Sequence, residues 1–167
     1  MISREYLHTL AAYSRWMNER LFTCCAELTD AQRKRDLGAF FKSIHGTLNH
    51  LLLADRMWLS RFTGETFVIR SLAEELYVDF DELSYERKTT DAAIARWIDG
   101  VSEADLTGEL HYTGIAKPIP RQYPYWFAVV HMFNHQTHHR GQITALLMQL
   151  GIDPGATDLI SLPERNS

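Results

Sequence analysis

Residues 125–150, YWFAVVHMFNHQTHHRGQITALLMQL, contain no proline and a single glycine, Gly141. Gly151 follows directly, and Pro154 comes shortly after it. Because glycine and proline are typical of the positions just beyond a helix C-terminus, the sequence predicts one long helix over this stretch. Half of the chain's eight histidines also lie in it, at positions 131, 135, 138 and 139.

A helical wheel separates the polar and apolar side chains of this predicted helix. At 100° per residue, the four histidines and Gln142 fall within an arc of roughly 100°. The large apolar residues fall about 120–200° away from His131 on the same wheel: Val129, Phe133, Ile143 and Leu147. The pattern therefore predicts one face packed against a core and, beside it, a polar face lined with imidazoles.

Three earlier stretches have apolar residues at the spacing of three and four that is typical of amphipathic helices. They predict helices at about 3–28, 41–62 and 79–101. Thr29 and Gln32 have the form of a capping box, which predicts a short helical turn. Residues 107–124 contain three prolines and two glycines, and they predict a long loop or a loose β-hairpin.

Four long amphipathic helices in 167 residues predict an all-α fold, a four-helix bundle, with residues 1–167 in one domain. The net charge of −4 argues against a nucleic-acid-binding protein, which normally presents a basic face. The sequence contains no run of about 18 apolar residues, so it predicts no membrane span. The first residues, MISREYLHTL, lack the apolar core of a signal peptide, so we expect a cytoplasmic protein.

The histidine spacing of the last helix is typical of helical metal sites. Residues four apart project from one face with Cβ atoms roughly 6 Å apart, and two such imidazoles can bind one ion at about 2.0–2.1 Å. His131 with His135 and His135 with His139 have this spacing, and His135 with His138 are three apart. A third ligand has to come from another part of the chain.

His50 is the best candidate for that third ligand. It lies in the middle of the second predicted helix, close to its apolar stripe, and therefore faces the interior. His45 lies about 140° away from His50 on that helix, so the two cannot serve one site. The most economical metal site is His50, His135 and His139, which leaves coordination positions open for water or substrate. The alternative is that these histidines are simply solvated on helix surfaces.

Other polar residues near this site have two interpretations each. His131 and His138 are either an acid or base beside the metal or structural histidines. Gln142 either hydrogen-bonds a bound ligand or braces a neighbouring helix. Arg140 points away from the histidines and is expected to pair with an acid or to lie at a subunit contact. Asp55 is expected to form a salt bridge between helices.

The chain resembles the DinB-like (DinB/YfiT) family of metal-dependent proteins, whose name records induction by DNA damage. The resemblance rests on YSRWMNERL at 13–21, TLNHLLLADRMWL at 47–59 and HMFNHQTHHRGQITALLMQLGIDP at 131–154. It implies a four-helix bundle with a long crossover connection, often assembled as a homodimer. It also implies a divalent metal ion, nickel or zinc, bound by the histidines that correspond to His50, His135 and His139.

The resemblance further implies a thiol-dependent transferase or isomerase acting with a low-molecular-weight thiol. The leading hypothesis is therefore a metal-dependent enzyme that transfers a small thiol to an electrophilic substrate. The alternative is a non-catalytic, stress-associated dimeric protein that binds a metal ion or a ligand. Since metal-binding histidines must be deprotonated, we expect metal binding to weaken below about pH 6, near the reference histidine pKa.

Overall fold

The computed structural model describes residues 2–114 and 118–163, and most of these residues are helical. The four long helices are α1 (Arg4–Ala26), α3 (Ile44–Thr63), α4 (Phe80–Gly100) and α6 (Tyr125–Gln149). Two short helices, α2 (Asp30–Lys34) and α5 (Glu103–Thr107), and two strands, β1 (Glu109–Thr113) and β2 (Pro120–Pro124), lie between them. Each long helix begins and ends within three residues of its predicted bounds.

Side-chain caps fix where three of the long helices begin. Ser3, Ser43 and Asp79 each accept a hydrogen bond from the backbone N–H three residues later, which satisfies one of the free donors at a helix N-terminus. The C-terminal end of α3 is Gly64, whose φ of 75° is a left-handed conformation that glycine adopts without strain. The predicted capping box of Thr29 and Gln32 is confirmed at α2.

The long helices pack against one another, and α1 and α3 each contact both α4 and α6. Their buried apolar side chains form two clusters. One includes Leu21, Phe22, Ile44, Leu48, Ile143 and Leu147, and the other includes Leu7, Trp58, Ile94, Ile98, Val129 and Phe133. Along α3, α4 and α6 the two clusters are separated by buried polar residues, because each of these helices turns polar side chains inward between its two apolar stretches.

We call this group of buried polar side chains the polar layer; it comprises Ser14, Asn18, Asp55, Arg87, Asp91, Gln136 and Arg140. Arg87 donates to Asp55 at 2.6 Å and lies 2.8 Å from Asp91. The predicted salt bridge of Asp55 is therefore confirmed. The prediction that Arg140 pairs with an acid is wrong: Arg140 donates to Ser14 at 2.5 Å, and no carboxylate of the described residues lies within 4.0 Å of it.

The segment 107–124 contains a β-hairpin. The fold is therefore mostly helical with one two-stranded sheet, and the prediction of an all-α fold has to be corrected by that sheet. β1 and β2 pair antiparallel, with Glu109 opposite Pro124 and Thr113 opposite Pro120. Both prolines lie at strand ends, where a missing backbone donor is tolerated. Leu110 turns into the core and attaches the hairpin to the helices. Within residues 2–114 and 118–163, no helix is long and apolar enough to cross a membrane.

Candidate metal site

His50 on α3 meets His135 and His139 on α6, and we call these three residues the histidine cluster. The Nε2 atom of His135 lies 3.4 Å from Nε2 of His50 and 3.0 Å from Nε2 of His139. Two nitrogens that bind one tetrahedral ion at about 2.0–2.1 Å lie roughly 3.3 Å apart. The cluster therefore has the dimensions of a three-histidine metal site and could bind a metal ion.

Hydrogen bonds at the outer nitrogens fix the orientation of two of the rings. Nδ1 of His50 donates to the Leu72 carbonyl at 2.8 Å, and Nδ1 of His139 donates to Oε1 of Gln142 at 2.7 Å. With the proton at Nδ1, each Nε2 lone pair points toward the centre of the cluster, as in metal-binding histidines. Nδ1 of His135 is buried and has no partner among the residues that the structure describes.

The protonation state of the cluster also suits a cation. Burial, together with charge repulsion from the neighbouring His139 and His50, lowers the pKa of His135 to about 3. Burial lowers the pKa of His139 to about 4 although Gln142 opposes the change, and burial lowers the pKa of His50 as well. All three imidazoles are therefore neutral at pH 7, which is the form that binds a metal.

Phe41 packs directly on the cluster from the turn before α3. Its ring stacks on His50 with centroids 3.8 Å apart and planes at 17°, and its edge meets His139 at 5.7 Å. The turn is tight, because Lys42 has a φ of 66° and a Cβ atom at Gly46 would lie 2.3 Å from the Phe41 carbonyl oxygen. This turn is why α3 begins at Ile44 and not at the predicted Phe41.

A cavity of about 780 Å³ opens beside the histidine cluster. Its walls include Phe40, Phe41, Leu72, Arg70, His138 and Gln142 together with His50 and His139. Ligand pockets in proteins usually measure about 300–1,000 Å³, so the space suits a small molecule. Because two cluster histidines line the cavity, a ligand in it would contact them directly.

The structure separates the remaining predicted residues into those at the cavity and those away from it. His138 is exposed, lines the cavity and has its ring 4.9 Å from that of His139. His131 lies away from this cavity, with its ring 5.0 Å from that of Trp58. His45 is separate from the cluster, as predicted, and its Nε2 lies 2.9 Å from the Tyr77 carbonyl oxygen.

Two contributors to the cluster were not predicted from the sequence. Phe41 had a weak signal, since it follows Phe40 immediately before a helix, but that pair fits an ordinary core contact equally well. Leu72 contributes through its backbone carbonyl from the irregular segment between α3 and α4, and a backbone group leaves no residue-type signal.

Comparison with known proteins agrees with the fold and identifies the family. A sequence model of the DinB family matches residues 1–166. Protein DinB of Bacillus subtilis (strain 168) is 28% identical over 163 residues, which cover 92% of this chain and 91% of that protein. A crystal structure of a DinB-like protein from Bacillus cereus ATCC 10987 has a similar fold, with a TM-score of 0.60 and 19% identity over 84% of this chain and 90% of that chain. The chain therefore belongs to the DinB family.

Proposed function

We propose that the protein is a metal-dependent enzyme that transfers a low-molecular-weight thiol to an electrophilic substrate. In this proposal His50, His135 and His139 bind one divalent metal ion, nickel or zinc. The observation that supports it is the convergence of three Nε2 atoms beside a cavity open to small molecules. Three protein ligands with an open face are typical of catalytic metal sites, whereas structural sites are closed.

Each part of the site has a role in this proposal. A bound divalent ion would supply a Lewis acid that holds the thiol as a thiolate at neutral pH. The Leu72 carbonyl and Gln142 keep the lone pairs of His50 and His139 directed at the ion. The rings of Phe40 and Phe41 offer the thiol an apolar wall beside that ion.

The cavity also contains a group that suits a charged thiol. The side chain of Arg70 is 92% exposed and lies 3.8 Å from Glu74, so it can turn toward an anionic group at modest cost. A peptide-like thiol carries a carboxylate, and guanidinium binds carboxylates through paired hydrogen bonds. Arg70 would then hold the thiol by its carboxylate while the cluster holds the sulfur.

A thiol-conjugation assay tests the proposal. Protein loaded with nickel or zinc is incubated with cysteine, coenzyme A or glutathione and a chromogenic electrophile. We expect metal-dependent turnover that is lost in His135→Ala and retained in His111→Ala, whose histidine is exposed on the hairpin. Absence of metal-dependent turnover with every thiol would contradict the enzyme proposal and favour a non-catalytic metal-binding protein.

We further propose that the four long helices form a four-helix bundle with a long crossover connection, as one domain, and that the protein is a cytoplasmic homodimer. The contacts of α1 and α3 with both α4 and α6 support the bundle. The exposed ring of Trp126 at the start of α6 supports a dimer contact there. Light scattering at several protein concentrations tests the dimer, and a monomer at every concentration would exclude it.

A further inference from the structure

A second, smaller cavity lies between the hairpin, α3 and α6. Its volume is about 230 Å³, and none of its lining residues lines the cavity beside the histidine cluster. We call it the aromatic pocket, because it is lined by Trp58, Tyr112, Tyr123, Phe127, Ala128 and His131. Its walls thus come from two helices and both strands.

The rings of the aromatic pocket hold one another in place. The rings of Trp58 and Tyr112 meet edge to face with centroids 5.6 Å apart, and the centroids of Tyr112 and Tyr123 lie 6.3 Å apart. The ring centroid of Tyr123 in turn lies 5.8 Å from that of Phe127. Such pairs are mutually favourable, so the pocket is formed before a ligand enters. Since an apolar cavity of about 150 Å³ accommodates benzene, this pocket has room for one substituted aromatic ring.

Arg61 does not line the pocket itself but places a charge beside it, since it packs on two of the lining residues. Its guanidinium carbon lies 4.5 Å from the Trp58 ring centroid and 4.1 Å from that of Tyr112. In the described part of the chain, the only contacts found for the Arg61 guanidinium are with these two rings, and none is with a carboxylate. The pocket therefore joins aromatic walls to a half-buried cation that has five donors to offer. A cationic ligand is disfavoured, because Arg61 already lies against these rings.

We propose that the aromatic pocket binds a small planar aromatic carboxylate, with its ring among the aromatic walls and its carboxylate on Arg61. The pocket also adjoins the histidine cluster through His131, whose ring lies 5.0 Å from Trp58 and 6.1 Å from His135. In the proposed reaction it would hold the aromatic part of the electrophile. That role rests on the proposed function, whereas binding itself does not.

The test uses benzoate and metal-free protein, so that no metal ion competes for the carboxylate. Benzoate is titrated while the indole N–H signals are followed by NMR. We expect the Trp58 signal to shift with a Kd on the order of 1 mM, as for other small fragments. Arg61→Gln should weaken binding about tenfold, the usual effect of losing a hydrogen bond to a charged group. Arg15→Gln is the matched control and should bind as wild type, because Arg15 is exposed on α1 and lines neither cavity.

A neutral analogue keeps the test independent of how the variants fold. Benzamide should bind wild-type protein about tenfold more weakly than benzoate, since it lacks the charge that Arg61 recognises. The proposal is overturned if Trp58 does not respond up to about 10 mM benzoate. It is also overturned if benzamide binds as tightly as benzoate, or if Arg15→Gln loses as much affinity as Arg61→Gln. Because the protein is metal-free, these outcomes do not depend on the thiol-conjugation result.

Discussion

The polar layer lies among all four long helices and the histidine cluster between two of them, α3 and α6, but only the polar layer balances its charges internally. Arg87 has one carboxylate within 2.6 Å and a second within 2.8 Å, those of Asp55 and Asp91. The histidine cluster has no carboxylate among its ligand atoms, and its lone pairs face one another. The charges in the layer therefore pair with one another, although some buried atoms there, such as Oδ1 of Asp55 and Nε of Arg87, have no hydrogen-bond partner among the described residues. The lone pairs in the cluster are left for a cation.

The polar layer and the histidine cluster also differ in the causes of their pKa shifts. Burial raises the pKa of Asp55 and of Asp91, and Arg87 opposes that increase in both. In the cluster, burial and mutual repulsion act in the same direction, and the pKa of His135 falls to about 3. A buried group that lacks an opposite charge is costly unless it is neutral, and three neutral imidazoles can be stabilised further by a ligand that the chain itself does not provide.

Removing the cation of the polar layer should cause the largest loss in the free energy of unfolding. Arg87→Met leaves Asp55 and Asp91 buried without their cation, which costs about 3–5 kcal/mol. For a chain of this size the midpoint of thermal unfolding should fall by roughly 6–20 °C. Circular dichroism measures it, with Arg70→Met as the exposed control. A loss below about 1 kcal/mol would contradict the role given to the polar layer.

Loosening the histidine cluster should affect metal binding more than folding. Gln142→Ala removes the acceptor that orients His139, and losses of this kind usually weaken metal affinity roughly 10- to 100-fold. Competition with a chromophoric chelator measures the affinity. Gln149→Ala, at the exposed end of the same helix, should leave it unchanged. Equal affinity in all three proteins would show that Gln142 does not support the site.

Two glycine-to-alanine variants test the close packing of the turn that contains Phe41. Gly46→Ala forces its new Cβ against the Phe41 carbonyl, so we expect a loss of about 1–3 kcal/mol and weaker metal binding as Phe41 leaves His50. Gly141→Ala, inside α6 with open space around it, should instead stabilise the protein by about 1 kcal/mol. Urea unfolding compares them, and a Gly46→Ala variant as stable as wild type would contradict the close contact.

Acid should destabilise the metal-free protein through the histidine cluster. The folded pKa of His135 is about 3, below the unfolded value of about 6.5, so the unfolded chain takes up the proton first. The contribution of neutral His135 to the free energy of unfolding is therefore present above pH 6.5 and is lost as the pH falls toward 3. His135→Ala should reduce the decline in unfolding free energy between pH 7 and pH 5 by about 1 kcal/mol, allowing for solvent screening. Parallel curves for wild type and His135→Ala would contradict the lowered pKa.

The same lowered pKa values change the expectation that metal binding weakens below about pH 6. With the pKa of His135 at about 3 and that of His139 at about 4, protons compete with the metal only in more acidic solution. We therefore expect the loss of half the metal at a pH below 6, which a pH titration of metal content measures. Loss of half the metal near pH 6 would show that the imidazoles titrate as solvated histidines do.

Local spacing explains what could be predicted from the sequence. The repeat of three and four residues was sufficient for the long helices, and the separation of four placed His135 and His139 on one face. The contribution of Leu72 could not be predicted, because it is made by a backbone carbonyl of an irregular segment. The partner of Arg140 could not be predicted, because its wheel position gives a direction and not a partner, and Ser14 reaches it from α1, which is far away in the sequence.

The proposed function depends most on whether the histidine cluster binds a metal ion. Elemental analysis of purified wild type, His135→Ala and His138→Ala tests this directly. His138 is the matched control, since it lies on the same helix and is exposed at the cavity. We predict one divalent ion per chain in wild type and in His138→Ala, and almost none in His135→Ala. Equal metal content in wild type and His135→Ala would contradict the central claim.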